Sequence, residues 1–160
     1  MAETTAAPTN DAQGRQPTLP PVNIVNQYIK DLSFENPSAP QIFDTLAQTQ
    51  PRSQPQVVVN VDVRTAAISE TRFEVALVVQ SETSIGEKKA FIVELSYAGI
   101  VDVTGVAREI VPWILMVEAP RLLFPFARRI VADATRDGSF PPLVLSPIDF
   151  VDMFRRRLEQ

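Results

Sequence analysis

The side chains in this 160-residue chain that could do chemistry are its carboxylates, because it contains neither histidine nor cysteine. Lack of histidine removes the commonest general base and metal ligand. Lack of cysteine removes disulfides, thiolate nucleophiles and thiolate metal sites. The usual nucleophilic triads are then unavailable, and no glycine-rich phosphate loop runs into Lys-Ser/Thr. A carboxylate pair could still serve as acid and base. Asp31 and Glu35 lie on one face of a predicted strand, but four residues apart, which is roughly 13 Å at strand rise. That is too far for a cooperating dyad without help from another strand. Asp62, Glu74 and Glu94 can join the same outer face. Three readings of such a face stand open: a solvated surface, a docking face for a basic partner, or a metal or catalytic site. The sequence supplies no other catalytic machinery, so no enzymatic activity, cofactor or metal is expected.

The elements that must carry these residues follow from periodicity. Met1–Pro21 is rich in Ala, Thr, Gln and Pro and almost free of large apolar residues, and is expected to be a disordered tail. Residues 22–160 read as one domain. Val22–Phe34 is a predicted strand with Tyr28, Leu32 and Phe34 on one face and Ile29, Asp31, Ser33 and Glu35 on the other. Asn36–Pro55 is a long connection holding Pro37, Pro40, Pro51 and Pro55, with Ile42, Phe43 and Leu46 available for packing. Gln56–Ala66, Arg72–Thr83 and Lys89–Ile100 alternate as strands: Val57, Val59, Val61 and Val63; then Phe73, Val75, Leu77 and Val79; then Phe91, Val93, Leu95 and Tyr97 on one side. Ser84-Ile85-Gly86-Glu87 suits a hairpin turn. Short joins favour a meander of these three, with the first strand crossing to a different edge.

From Val106 the period becomes helical, and Pro112 and Pro120 are expected to bend or break the helix. A second helix runs to about Asp137, with Leu122, Phe126, Ile130 and Ala134 as its apolar stripe and Gly138 as its stop. Ser139–Leu145 reads as extended. Ser146-Pro147-Ile148-Asp149 opens a last helix, with Ser146 as N-cap and Arg155, Arg156 and Arg157 at its C-terminal end.

Leu122, Leu123, Phe124, Phe126, Phe140, Leu143, Val144, Leu145, Ile148 and Phe150 stand among Pro125, Pro141, Pro142 and Pro147. That surface needs a core, a sister subunit or a captured ligand to cover it. The net charge of −4 argues mildly against nucleic acid. No apolar stretch approaches the ~20 residues of a membrane span, and the N-terminus has no secretory h-region, so a cytoplasmic protein without membrane insertion is expected. An adaptor that merely oligomerises, and a small enzyme or lipid carrier with a pocket, are the competing readings of the apolar surface.

Four blocks together resemble the SecB protein-export chaperone family. They are Tyr28-Ile29-Lys30-Asp31-Leu32-Ser33-Phe34-Glu35-Asn36-Pro37; Gly86-Glu87 leading to Ala90-Phe91-Ile92-Val93-Glu94; Pro120-Arg121-Leu122-Leu123-Phe124-Pro125-Phe126; and Gly138-Ser139-Phe140-Pro141-Pro142-Leu143 followed by Ser146-Pro147-Ile148-Asp149-Phe150. The resemblance implies an α+β fold, a four-stranded antiparallel sheet with helices packed on one face. It implies a homotetramer, a dimer of dimers, that holds unfolded precursor proteins without ATP and passes them to the SecA motor. By the same resemblance Asp31, Glu35, Ile92 and Glu94 form the motor-docking surface. Phe91, Val93, Leu95 and Tyr97 form the subunit contact. Phe140, Leu143 and Leu145, with Ile42 and Phe43 of the long connection, line the client groove.

Overall fold

The structure is a computed structural model that describes residues 19–48 and 54–160. Most of the expected N-terminal tail therefore lies outside the described residues. Four strands, β1 (Asn23–Glu35), β2 (Gln56–Ala67), β3 (Arg72–Ile85) and β4 (Lys88–Asp102), form one antiparallel sheet in the order β1-β4-β3-β2. The meander of β2, β3 and β4 and the crossing of β1 to the far side of β4 both match the alternation. Only Gly86 and Glu87 separate β3 from β4, and Gly86 takes φ +61°, a left-handed conformation that costs glycine little.

The helices are α1 (Gln41–Gln48), α2 (Val111–Trp113), a π turn over Ile114–Glu118, α3 (Ala119–Asp137) and α4 (Phe150–Leu158). The chain is helical without a break from Val111 to Asp137, so the expected interruption at Pro112 and Pro120 does not occur. Pro112 sits in the first turn, where its N–H would have had no partner. Before Pro120, the Ala119 N–H reaches back five residues to the Ile114 carbonyl. The wider turn absorbs the donor that proline lacks.

The core lies between the sheet and the helices. Val75, Leu77 and Val79 of β3 and Val93, Leu95 and Val101 of β4 meet Ile114, Val117, Leu123, Ala127, Val131, Leu145 and Phe150. The buried face of α3 holds Leu123, Phe124, Ala127, Ile130 and Val131, so Ile130 of the predicted stripe is in the core, with Ala134 against it, while its first two members are not. Leu122 and Phe126 are left 47% and 44% exposed. A second, smaller cluster closes the end of the sheet, built from Ile42, Ile85, Ala90, Phe91 and Phe140 with Phe34, Phe43, Leu46 and Leu143 against it.

Two local expectations change, at the start of α4 and in β1, and the end of α3 has a form of its own. The helix cap before α4 is Asp149, whose carboxylate accepts the Asp152 N–H at 3.0 Å, and not Ser146. α3 does stop at Gly138, its C-cap, as expected, but the left-handed residue is the next one, Ser139 (φ 66°). Gly138 serves close packing instead: a Cβ there would come within 2.3 Å of the Phe34 ring. In β1 the alternation slips at Lys30, where a bulge separates Ile29, opposite Tyr97, from Asp31, opposite Ser96. Ile29 thus shares the helix side with Leu32 and Phe34, and Tyr28 shares the outer side with Asp31.

Candidate binding sites on the two faces of the sheet

The register brings the four predicted docking residues onto the outer face, away from the helices. Asp31 lies opposite Ser96, Ser33 opposite Glu94, and Glu35 opposite Ile92. Residues paired directly across strands share a face. Glu94 is thus diagonal to both Asp31 and Glu35, and β3 extends the surface, with Gln80 opposite Glu94 and Glu82 opposite Ile92. A depression of about 320 Å³ opens there, lined by Val58, Asn60, Gln80, Glu82, Ile92 and Glu94.

Charge pairing on this face is uneven. Glu82 is paired with Lys89 at 3.2 Å, and Glu74 with Lys30 at 2.5 Å. The Tyr28 hydroxyl also donates to Glu74. The hydrogen bond to Glu74, with burial and the carboxylate charge, pushes the Tyr28 phenol up to about 12. The Lys30 and Tyr28 hydrogen bonds hold the Glu74 carboxyl below its usual range. Asp31, Glu35 and Glu94 are exposed, and among the described residues no cation pairs with any of them.

The helix side carries a different surface. An open cavity of about 210 Å³ lies at the end of the sheet between β2, β3, β4, α1 and the chain after α3. Its walls include Leu46, Val57, Ile85, Phe91, Phe140 and Leu143. Val57 and Val59 of β2 are exposed beside it, so the apolar surface continues onto the free edge of the sheet. Phe140 is packed within 4.8 Å of Phe91 and 5.6 Å of Phe43, ring centre to ring centre. Only 6% of its surface stays open.

The five residues expected in the groove therefore divide. Phe140 and Leu143 line the cavity. Phe43 supports Phe140 from behind, and Ile42 is wholly buried beneath. Leu145 belongs to the main core rather than to this end of the sheet.

The residues expected at the subunit contact are placed differently from a surface patch. Val93 and Leu95 are 0% and 1% exposed, covered by the chain's own helices. Side chains so enclosed cannot touch a partner directly. The accessible neighbours are Phe126, stacked on Tyr97 with ring centres 6.1 Å apart, and Leu122 one turn away.

Two anchoring residues escaped the reading of the sequence. Thr135, wholly buried, accepts the Leu143 N–H at 2.9 Å, and its carbonyl accepts the Phe140 N–H at 3.1 Å. This one residue pins the cavity wall to α3. Arg157 donates to the Val63 carbonyl at 2.9 Å and to Asp62 at 2.6 Å, which ties α4 to β2. A lone threonine in a helix and one arginine of a run of three give no sequence signal for such contacts.

A family model described as preprotein translocase subunit SecB matches residues 15–160. The chain belongs to the SecB family. It is 47% identical over 141 residues to the protein-export protein SecB of Parvibaculum lavamentivorans, covering 88% of this chain and 81% of that one. It is 46% identical to the protein-export protein SecB of Rhodospirillum centenum, covering 99% and 93%. Among solved structures, a SecB-like chaperone of Mycobacterium tuberculosis, in complex with a peptide from an antitoxin, superposes with a TM-score of 0.62 at 15% identity, covering 79% of this chain and 90% of that one. The fold is thus the SecB fold, and the expected role in protein export as a chaperone agrees with these relatives. SecB is a family of chaperones rather than of enzymes. In this SecB chain no described helix is long and apolar enough to cross a membrane, and no cluster of three or more potential ligands among the described residues could hold a metal ion.

Proposed function

We propose that this SecB chain works in the cytoplasm as an ATP-independent holdase, capturing unfolded precursor segments on the helix side of its sheet and presenting its outer face to the SecA motor. One observation carries the reading: an open apolar cavity on one face of the sheet and unpaired carboxylates on the other. At about 210 Å³ the cavity is below the usual ~300–1,000 Å³ of small-molecule sites, and it opens onto the exposed valines of β2. It suits one or two side chains of an extended chain better than an enclosed lipid or substrate. Each such contact is small, so one site binds loosely. Several sites on one particle raise apparent affinity while each contact remains reversible. Folded proteins are passed over because their apolar side chains are already covered.

A dimer of dimers supplies those several sites. It needs two distinct self-complementary contacts. One exposed apolar surface suits such a contact: Leu122 and Phe126 on α3, with Ile29 and Leu32 of the edge strand β1 on the same side of the sheet. The outer face supplies the release partner. The charges of Asp31, Glu35 and Glu94 are available to a basic segment, with Ile92 as an apolar contact among them, and the attraction weakens with salt.

The test is aggregation suppression of a chemically unfolded precursor without nucleotide, beside SecA binding. The double variant Asp31→Arg, Glu94→Arg should lose most SecA binding and keep client capture. Loss of both together would sink the assignment of separate surfaces, and failure of the unaltered chain to suppress aggregation would sink the chaperone reading itself.

A further inference from the structure

Lys30 is the residue of β1 at which the alternation slips, so it stands beside Asp31 on the outer face. Its ammonium is nevertheless held elsewhere. Lys30 Nζ reaches across β4 to a Glu74 carboxylate oxygen on β3, 2.5 Å away. The Tyr28 hydroxyl donates to the other oxygen of Glu74. The Glu74 side chain is 17% exposed and that of Lys30 52%, so the carboxylate is the fixed end of the pair. Asp31 is left without a pairing cation among the described residues. Glu74 itself is remote from Asp31. Val78 of β3 lies level with Ser96 and so with Asp31, and Glu74 is four residues from Val78, roughly 13 Å along the strand alone. That exceeds the Debye length of ~8 Å at physiological ionic strength, so the charge of Glu74 is little felt at Asp31.

We infer that Glu74 is a positioning residue for motor docking: it draws the Lys30 ammonium away from Asp31 and leaves that carboxylate to a basic segment of the partner. The inference rests on the docking reading above and adds to it a residue that need not touch the partner. A lysine carries its charge on a flexible four-carbon stem. Released from Glu74, the stem swings over its own face, where Asp31 is its chain neighbour and Glu94 lies diagonal to Asp31. A cation of the chain then sits on the carboxylate that a partner cation must meet, and its charge opposes the incoming segment.

The probe is SecA, titrated against the full chain at about 0.15 M salt. Glu74→Gln and Lys30→Met break the same ion pair from opposite ends. Glu74→Gln keeps the side-chain size and should weaken SecA binding about 2- to 5-fold, the range of one exposed ion pair. Lys30→Met should bind SecA at least as well as the parent. The double variant should match Lys30→Met, because no ammonium is left to release. Capture of an unfolded client should be equal in all four chains. Weaker SecA binding in both single variants overturns the inference, since the pair would then only hold β1 in shape. So does an equal deficit from Glu74→Gln with and without Lys30→Met, which would mean that the charge of Glu74 acts by itself. Unaltered SecA binding in Glu74→Gln overturns it too, and leaves the docking reading standing. No SecA binding by the unaltered chain removes the docking reading, and this inference with it.

Discussion

Replacing Thr135 by valine tests how the cavity wall is held. The Thr135 hydroxyl donates to the Val131 and Ala132 carbonyls at 3.1 and 3.0 Å and accepts the Leu143 N–H at 2.9 Å. Valine has the same branched shape at zero exposure, so packing against the core is kept. The two helix carbonyls retain their place in the helix, and losing the hydroxyl costs them little. The Leu143 N–H loses its acceptor. An unsatisfied buried donor costs about 1–3 kcal/mol, and Leu143 is only partly buried, which places the expected loss near ~1.5 kcal/mol. That corresponds to about tenfold in an equilibrium constant. Urea unfolding at fixed subunit concentration should show the loss. Amide exchange at Leu143 should quicken by about the same factor, while exchange in β3 and β4 changes only with global stability. Thr135→Ser keeps the hydroxyl and should keep the slow Leu143 amide. Client capture should fall in the valine variant, because Phe140, Pro141 and Leu143 form one wall of the cavity. A valine variant within ~0.5 kcal/mol of the parent, with Leu143 exchange unaltered, would refute the assignment of this anchor.

Phe126→Asp places a charge on the exposed apolar row of α3 and should reduce the light-scattering mass from that of the proposed tetramer, about four times 17.7 kDa, to about half of it, with secondary structure intact. An unchanged mass would clear this row of any assembly role. Gly138→Ala and Ser139→Gly should move stability in opposite directions. The first drives a Cβ into the Phe34 ring, and the second relieves a non-glycine residue at φ 66° by about 1 kcal/mol; thermal unfolding would expose a shared sign as an error. The folded state favours neutral Tyr28, so its contribution is whole below pH 10 and is lost as pH rises toward about 12. The lowered Glu74 contributes above the ordinary carboxylate range and loses that contribution as pH falls through its depressed value. Tyr28→Phe should flatten the alkaline fall in urea midpoint to the part due to lysines; an identical fall would deny the tyrosine a role.

Strand alternation made β2, β3, β4 and their turn legible, because hydrophobic residues recur at period two in each, on a buried side in β3 and β4 and on a largely exposed one in β2. In β1 the same rule misplaced Tyr28 and Ile29, since a bulge at Lys30 leaves no mark in a strand with mixed residues on both sides. The helix Gln41–Gln48 was hidden by the prolines around it, although Ile42, Phe43 and Leu46 already pointed to packing. Proline position misled where geometry could adapt: a π turn accommodates Pro120, and no one-dimensional pattern announces it. On α3 apolar residues stand on two sides, so the predicted stripe joined Ile130 and Ala134, which the sheet covers, to Leu122 and Phe126, which it does not. The outer carboxylates could be grouped from alternation alone. That Glu74 and Glu82 are neutralised while Asp31, Glu35 and Glu94 are not depends on where Lys30 and Lys89 reach, which is a property of three dimensions.

Phe91 and Ile92 are covalent neighbours, yet one looks into the apolar hollow and the other out among the carboxylates. A single thickness of polypeptide divides the two territories, with no hinge or spacer between them. A substitution in β4 meant for one face therefore sits one residue from the other, and each needs a control at its neighbour.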